Sequence, residues 1–255
     1  MTGRGYQHLA NRLMAAMAIS SLTAVLFWPA VSYEFLKYWD DGAHLMWNEE
    51  YKGLGWTQLW WMVHPFLGQW MPLTWLSWAI DFTVWGLDPV AYHRTNVLLH
   101  ALNAGLLFLV ARRILGLVFP PPLPESGGVL AARDAAARER RLMLGAAVAA
   151  LLWAFHPLRV ESVAWVNERR DVLCGVFYLL AVLTYLKAVD GAGTGGISRS
   201  FPLPVSPPPG PSEYTSRAWL IVSIACFVLA VLSKALAVTL PVTLLLLDVY
   251  PLRRW

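Results

Sequence analysis

Two polar clusters interrupt an otherwise apolar chain. The first, YWDDGAHLMWNEE, sets Asp40 and Asp41 side by side and follows them with His44, Glu49 and Glu50. The second, HPLRVESVAWVNERRD, carries His156, Arg159, Glu161, Glu168, Arg169, Arg170 and Asp171 within sixteen residues. On a continuous helix, Glu161, Trp165 and Glu168 fall on one face. Seven tryptophans lie between Trp39 and Trp75, far more than a solvated loop needs. Any one of these charges is most plainly a helix-end residue reaching water. As a set, carboxylates, arginines and aromatics where membrane meets water suit a substrate with a charged head and a long lipid tail.

The elements that position these clusters are membrane helices. Of 255 residues 57% are hydrophobic and only 14% charged, where a soluble domain carries about 25% charged residues. Five stretches are apolar enough to cross a bilayer: 13–33, 91–112, 142–158, 171–188 and 217–233. A sixth, 235–250, is short, but tilt and local thinning accommodate it. The first is read as a retained signal-anchor helix, since no small-residue cleavage site stands out. The stretch 72–87 is apolar but holds Asp81 near its centre, and an aspartate at mid-membrane costs roughly 2.5–3.5 kcal/mol.

Charge distribution decides that case. If 72–87 lies along the outer interface, the strongly basic segments all fall on one side: the N-terminus, the linkers 113–141 and 188–217, and Arg253–Arg254, as the positive-inside rule expects. The expected fold is therefore all-α: a polytopic integral membrane helical bundle of about six transmembrane helices plus outer juxtamembrane helices, forming a single domain over 1–255 with both termini cytoplasmic. The outer loop is 34–90, with Trp75, Trp78 and Trp85 at headgroup depth. The linkers are a proline-stiffened segment with a short charged helix, then a Gly/Pro/Ser connector. There is no internal repeat, Walker loop, dinucleotide fingerprint, paired-cysteine zinc motif or HExxH, and no nucleic-acid partner is expected. Cys174 and Cys226 read as small buried fillers.

Four blocks carry a resemblance: YWDDGAHLMWNEEYKGLGW, QWMPLTWLSWAIDFTVWGLDPVAYHRTNVLLHALN, FHPLRVESVAWVNERRDVLCGVFYLLAVLTYL and LSKALAVTLPVTLLLLDVYPL. In this order they resemble the membrane domain, specifically the N-terminal half, of the glycosyltransferase C superfamily. More narrowly, the chain is similar to bacterial tetratricopeptide-repeat membrane proteins related to the transmembrane O-mannosyltransferases, here without the repeats.

The resemblance implies transfer of a sugar from a polyprenyl-phosphate donor, the co-substrate, to a hydroxyl acceptor on the non-cytoplasmic face of a bacterial inner membrane. It implies Asp40 or Asp41 as the acidic catalytic residue, the first being favoured, and a divalent metal on Asp40 or Asp41 is one way to share the phosphate charge. The outer-face cations available for the lipid phosphate are Arg169, Arg170, Arg94 and Lys234, with Glu168, His93 and His156 in support. One expectation is that Glu168 with Arg169 or Arg170 lies within side-chain reach of the aspartates. The chain ends at PLRRW after six spans, where family members continue. A truncated product, or a shortened homologue relying on a partner, is expected. That partner, a second membrane protein or a second copy, would lie against 217–250, with Asp248 as the pointer. The alternative function is a non-catalytic subunit or scaffold of a larger membrane complex.

Overall fold

The computed structural model describes residues 3–121, 129–193 and 211–254, and the chain folds there as an all-α membrane bundle. Part of the proline-rich linker (122–128) and most of the Gly/Pro/Ser connector (194–210, with Arg199) lie outside the described residues. The helices are α1 (Gly3–Phe27), α2 (Trp56–Met62), α3 (Pro72–Trp85), α4 (Pro89–Val118), α5 (Val129–Ala154), α6 (Arg159–Ala164), α7 (Arg169–Gly193), α8 (Pro211–Ser233) and α9 (Leu240–Val249).

Four segments are long and apolar enough to cross a membrane: Tyr6–Ser32, Pro89–Val118, Val166–Val189 and Tyr214–Ser233. The other two expected spans are shorter. α5 is charged in its first half, and the stretch expected at 142–158 ends as helix at Ala154. It nevertheless runs the depth of the bundle: Arg138 bonds the Phe119 carbonyl at one end of α4, and the Ala154 carbonyl lies 3.1 Å from His100 Nε2. Those α4 positions are about 28 Å apart at 1.5 Å per residue. The expected span 235–250 splits into a 3₁₀ turn (Ala235–Thr239) and the ten-residue α9. It too returns to the far end, since Lys234 reaches Asp171 and Tyr185 donates to Asp248.

α4 is the hub, packing against α1, α5 and α7, while α7 pairs with α8. Ala146, Ala150 and Ala154 recur at four-residue spacing and pack with Ala16 and Ala104, small residues that let helix backbones approach where lipid offers no hydrophobic drive. Glu139 joins three helices, accepting Arg12 Nε of α1 at 2.9 Å and pairing with Arg112 of α4. Burial alone would raise its pKa; the two arginines outweigh that and hold the carboxyl below its usual range. Arg12 and Arg254 thus both lie at the end of the bundle away from Asp40–Asp41. Arg254 and Tyr185 also satisfy Asp248, at 3.3 and 2.7 Å. Both Asp248 oxygens thus have donors within the chain.

The outer loop folds on itself. Gly86, at φ 66°, stops α3 in a conformation that side chains rarely adopt. Two residues on, Asp88 caps α4 by accepting Val90 N–H at 3.1 Å, with Pro89 in the first turn. α3's fourteen residues rise about 21 Å, short of the roughly 30 Å hydrocarbon layer. Of the three tryptophans expected at headgroup depth, Trp85 is exposed, while Trp75 and Trp78 face the protein interior, wholly buried with Leu45, Tyr51, Met62 and Tyr92. Neither indole N–H has a protein partner. That costs about 1–3 kcal/mol each, less than the roughly 4 kcal/mol gained by removing at least 150 Å² from water.

Candidate active site

The paired aspartates have separate tasks. Asp41 is fully buried, and its carboxylate oxygens accept the N–H of Leu36 and the N–H of Asn167, each at 3.0 Å. It therefore ties the segment after α1 to the second polar turn, 126 residues away. Burial, the largest influence, lifts its pKa above the ordinary value, although these two N–H donors pull the other way. Asp40 is partly exposed and accepts Asn167 Nδ2 at 3.3 Å on one oxygen. Its second oxygen has no protein donor among the described residues, so Asp40 is the carboxylate a substrate can meet.

The turn beneath them is fixed by its neighbours. Residues 42–46 form a single π-turn, closed by Trp47 N–H on the Gly42 carbonyl at 2.9 Å. A Cβ at Gly42 would stand 2.0 Å from the Lys37 carbonyl oxygen and 2.9 Å from the Trp47 ring, so the position requires glycine. Gly42→Ala is expected to cost about 1–3 kcal/mol in overpacking and to lower activity with it; a thermal-unfolding scan beside a transfer assay checks this. His44 donates from Nδ1 to the Asp40 carbonyl at 3.0 Å. Burial against Trp75 and Phe66 holds its pKa below the usual histidine range.

The second turn is not a continuous helix. α6 stops at Ala164, Trp165 is extended, and 166–168 form a 3₁₀ turn, so Glu161, Trp165 and Glu168 share no helical face. The break aims Asn167 at both aspartates. Neither its position nor its role was legible locally; its only signal is a place immediately before Glu168–Arg169–Arg170. The polar turn and the aspartates thus meet through Asn167, next to Glu168.

The cations separate sharply. Arg169 is wholly buried, 2.7 Å from Asp81, donating to the Tyr92 carbonyl at 2.8 Å and to the Asn96 side chain. It cannot present itself to a lipid phosphate, which corrects that assignment and explains Asp81, whose other oxygen accepts from Thr95 at 3.1 Å. Arg170 pairs with Glu168 and donates to Gln69. Lys234 reaches Glu168 at 3.3 Å and also Asp171. Both remain partly exposed, at 17% and 27% of the side chain, so an incoming anion could still compete for them. Arg94 stacks on Trp85, 4.7 Å from the ring centroid, and has no ion pair among the described residues. His156 is exposed and accepts Leu158 N–H at 3.3 Å, ordering its own turn. His93 is buried between Tyr33 and Phe35.

A cavity of about 560 Å³ adjoins the pair, lined by Tyr33, Glu34, Leu36, Glu161 and Trp165 among others. It shares Leu36 with the Asp41 hydrogen bond. The donor set for a metal is thin: both Asp41 oxygens already accept backbone N–H groups, leaving Asp40, and no three His, Cys, Asp or Glu side chains gather among the described residues. A divalent ion does not fit this site well.

Comparison with curated proteins gives relatives that include protein O-mannosyl-transferases. The chain is 38% identical over 118 residues to protein O-mannosyl-transferase Tmtc1 of Drosophila melanogaster, covering 46% of this chain and 11% of that protein. It is 29% identical over 242 residues to protein O-mannosyl-transferase TMTC4 of Homo sapiens, covering 88% and 28%. It is 26% identical over 192 residues to TMTC2 of Mus musculus, covering 71% and 20%. The chain thus spans between 11% and 28% of the length of these relatives. No family model matches, and no solved structure matches. Over the matched stretches this chain is similar to protein O-mannosyl-transferases, and its apolar helices make it a multi-pass membrane protein.

Proposed function

We propose that the chain transfers a sugar from a polyprenyl-phosphate donor to a hydroxyl acceptor on the non-cytoplasmic face of a bacterial inner membrane, with Asp40 as the catalytic carboxylate. The observation that carries this reading is the division between the pair: Asp41 is locked inside, while Asp40 is held by Asn167 with one oxygen open. As the acceptor oxygen bonds to the anomeric carbon, the bond from that carbon to the lipid-phosphate oxygen breaks. The phosphate leaves with the electron pair, and the acceptor proton passes to Asp40. Arg170 and Lys234, at the exposed edge of their network, offer charge to the leaving phosphate. The basic end of the bundle, with both termini, faces the cytoplasm by the positive-inside rule.

The hydrocarbon tail has a place to lie. α1 and α4 leave an apolar groove of about 640 Å³ past Ala16, Ser20, Ala101 and Gly105. It continues over Ser21 and Ala24 to Trp28 and Pro29, close to the outer loop. The relatives are named as protein O-mannosyl-transferases, so mannose and a protein hydroxyl are the pair to try first.

One observation favours a second reading, a non-catalytic subunit keeping this fold: Arg170 and Lys234 are matched by Glu168 and Asp171, so the network is neutral overall. Proteoliposomes holding the full chain, a radiolabelled polyprenyl-phosphate mannose and a serine/threonine peptide distinguish the two. Label accumulating on the peptide is the expected result. Folded chain that transfers none would shift the reading to the scaffold.

A further inference from the structure

We infer that the end of the bundle away from the aspartates binds the headgroup of an anionic phospholipid, in a cleft between the last turn of α4 and the basic turn of α5. The cleft measures about 620 Å³; its apolar side includes Leu115, Phe119 and Leu142, and its polar side is Asp134, Arg138 and Arg141. α4 ends there because Pro120 and Pro121 follow. Its orphan carbonyls are met from α5: Arg138 Nε donates to Phe119 O at 3.0 Å and Nη2 to Gly116 O at 3.2 Å. That contact holds the basic turn open over the apolar wall.

The charges favour an anion. Within 112–141, the acids among the described residues are Asp134 and Glu139. Glu139 is occupied by Arg12 and Arg112, so it cannot neutralise the cleft. Arg141 is exposed and has no hydrogen bond or ion pair among the described residues. Arg138 gives its donors to carbonyls and pairs with no carboxylate among the described residues. Two arginines against Asp134 leave the cleft net positive, complementary to one phosphodiester, while Leu115 and Leu142 suit the first methylenes of an acyl chain. The depth is right as well. Leu115 lies about 39 Å along α4 from Pro89, where a helix leaves the hydrocarbon for the headgroups. Basic pockets between membrane helices hold anionic headgroups in this way.

The test compares lipids and charge-matched variants on the full chain purified in mild detergent. Native mass spectrometry reads lipid retained after adding dioleoyl-phosphatidylglycerol or dioleoyl-phosphatidylcholine. Phosphatidylglycerol should be retained in preference. Arg141→Gln should lower its occupancy about fivefold, and Arg141→Lys should restore it. Arg140→Gln removes the same charge from a neighbour that does not line the cleft, and should leave occupancy unchanged. All variants should unfold at the wild-type temperature, because Arg141 holds no structural contact. Equal losses for Arg140→Gln and Arg141→Gln would reduce the effect to general surface charge and overturn the site. Equal retention of the two lipids, or no retention of either, would overturn it too.

Discussion

Asp40→Asn should abolish most sugar transfer, by about 10²–10⁴-fold in turnover, while leaving the thermal unfolding of the purified chain unchanged. The amide keeps the shape and its oxygen can still accept from Asn167 Nδ2, but it cannot take a hydroxyl proton. Asp41→Asn should behave differently. Both Asp41 oxygens accept backbone N–H groups, and an amide turns one acceptor into a donor facing a donor. One buried N–H is then orphaned at a cost of about 1–3 kcal/mol, and stability and activity fall together. A pH arm separates the roles further. Burial outweighs the two N–H donors and raises the Asp41 pKa from 3.8, so ionising this carboxyl costs the folded state more than the unfolded one. Its contribution is fully present below 3.8 and fades as pH rises through the raised value. Asp41→Asn should flatten that dependence and Asp40→Asn should leave it intact. Transfer rates and unfolding temperatures of the two variants across that window check all three statements. Undiminished transfer by both variants would remove the mechanism.

What local pattern could reveal here was punctuation and the acidic pair. Gly86 and Asp88–Pro89 mark the end of one helix and the start of the next because backbone conformation and capping act over a few residues. The apolar runs locate the spans because lipid demands continuous hydrophobicity. The ends of α5 and the 3₁₀ break before α9 were not legible, since packing along α4 and α7, not apolar length alone, determines where those helices stop. Trp75 and Trp78 read as interfacial because α3 is uniformly apolar; only the folding of Leu45, Tyr51 and Tyr92 over them makes that face interior. The division of labour between Asp40 and Asp41 depends on Asn167, a contact made across 126 residues. Spacing also suggested a helical face through Trp165 that the chain abandons in order to make that contact.

The buried pair of Asp81 and Arg169 carries the largest expected effect on stability. Arg169 is 0% exposed, 2.7 Å from Asp81, and surrounded by acceptors from two elements: Ser77 of α3, and Asn96 and the Tyr92 carbonyl of α4. Removing either charge leaves the other desolvated and unmatched, a loss of about 3–5 kcal/mol. Arg169→Met should lie at or above the top of that range, because it also orphans Asn96 and the Tyr92 carbonyl. Asp81→Asn should lie lower, because its amide oxygen can still accept from Thr95. The double variant Asp81→Asn/Arg169→Met should be less damaging than the sum of the two single changes, since neither leaves an isolated charge behind. A double-mutant cycle on unfolding of the detergent-purified chain gives that coupling. An arginine reserved for a lipid phosphate would give the opposite pattern: Arg169→Met would slow transfer at unchanged stability, with no coupling to Asp81. The distinction matters for the chemistry, because a charge held by Asp81 fixes the start of α7. Through the adjacent residues it fixes Asn167, and so sets where the Asp40 carboxylate stands.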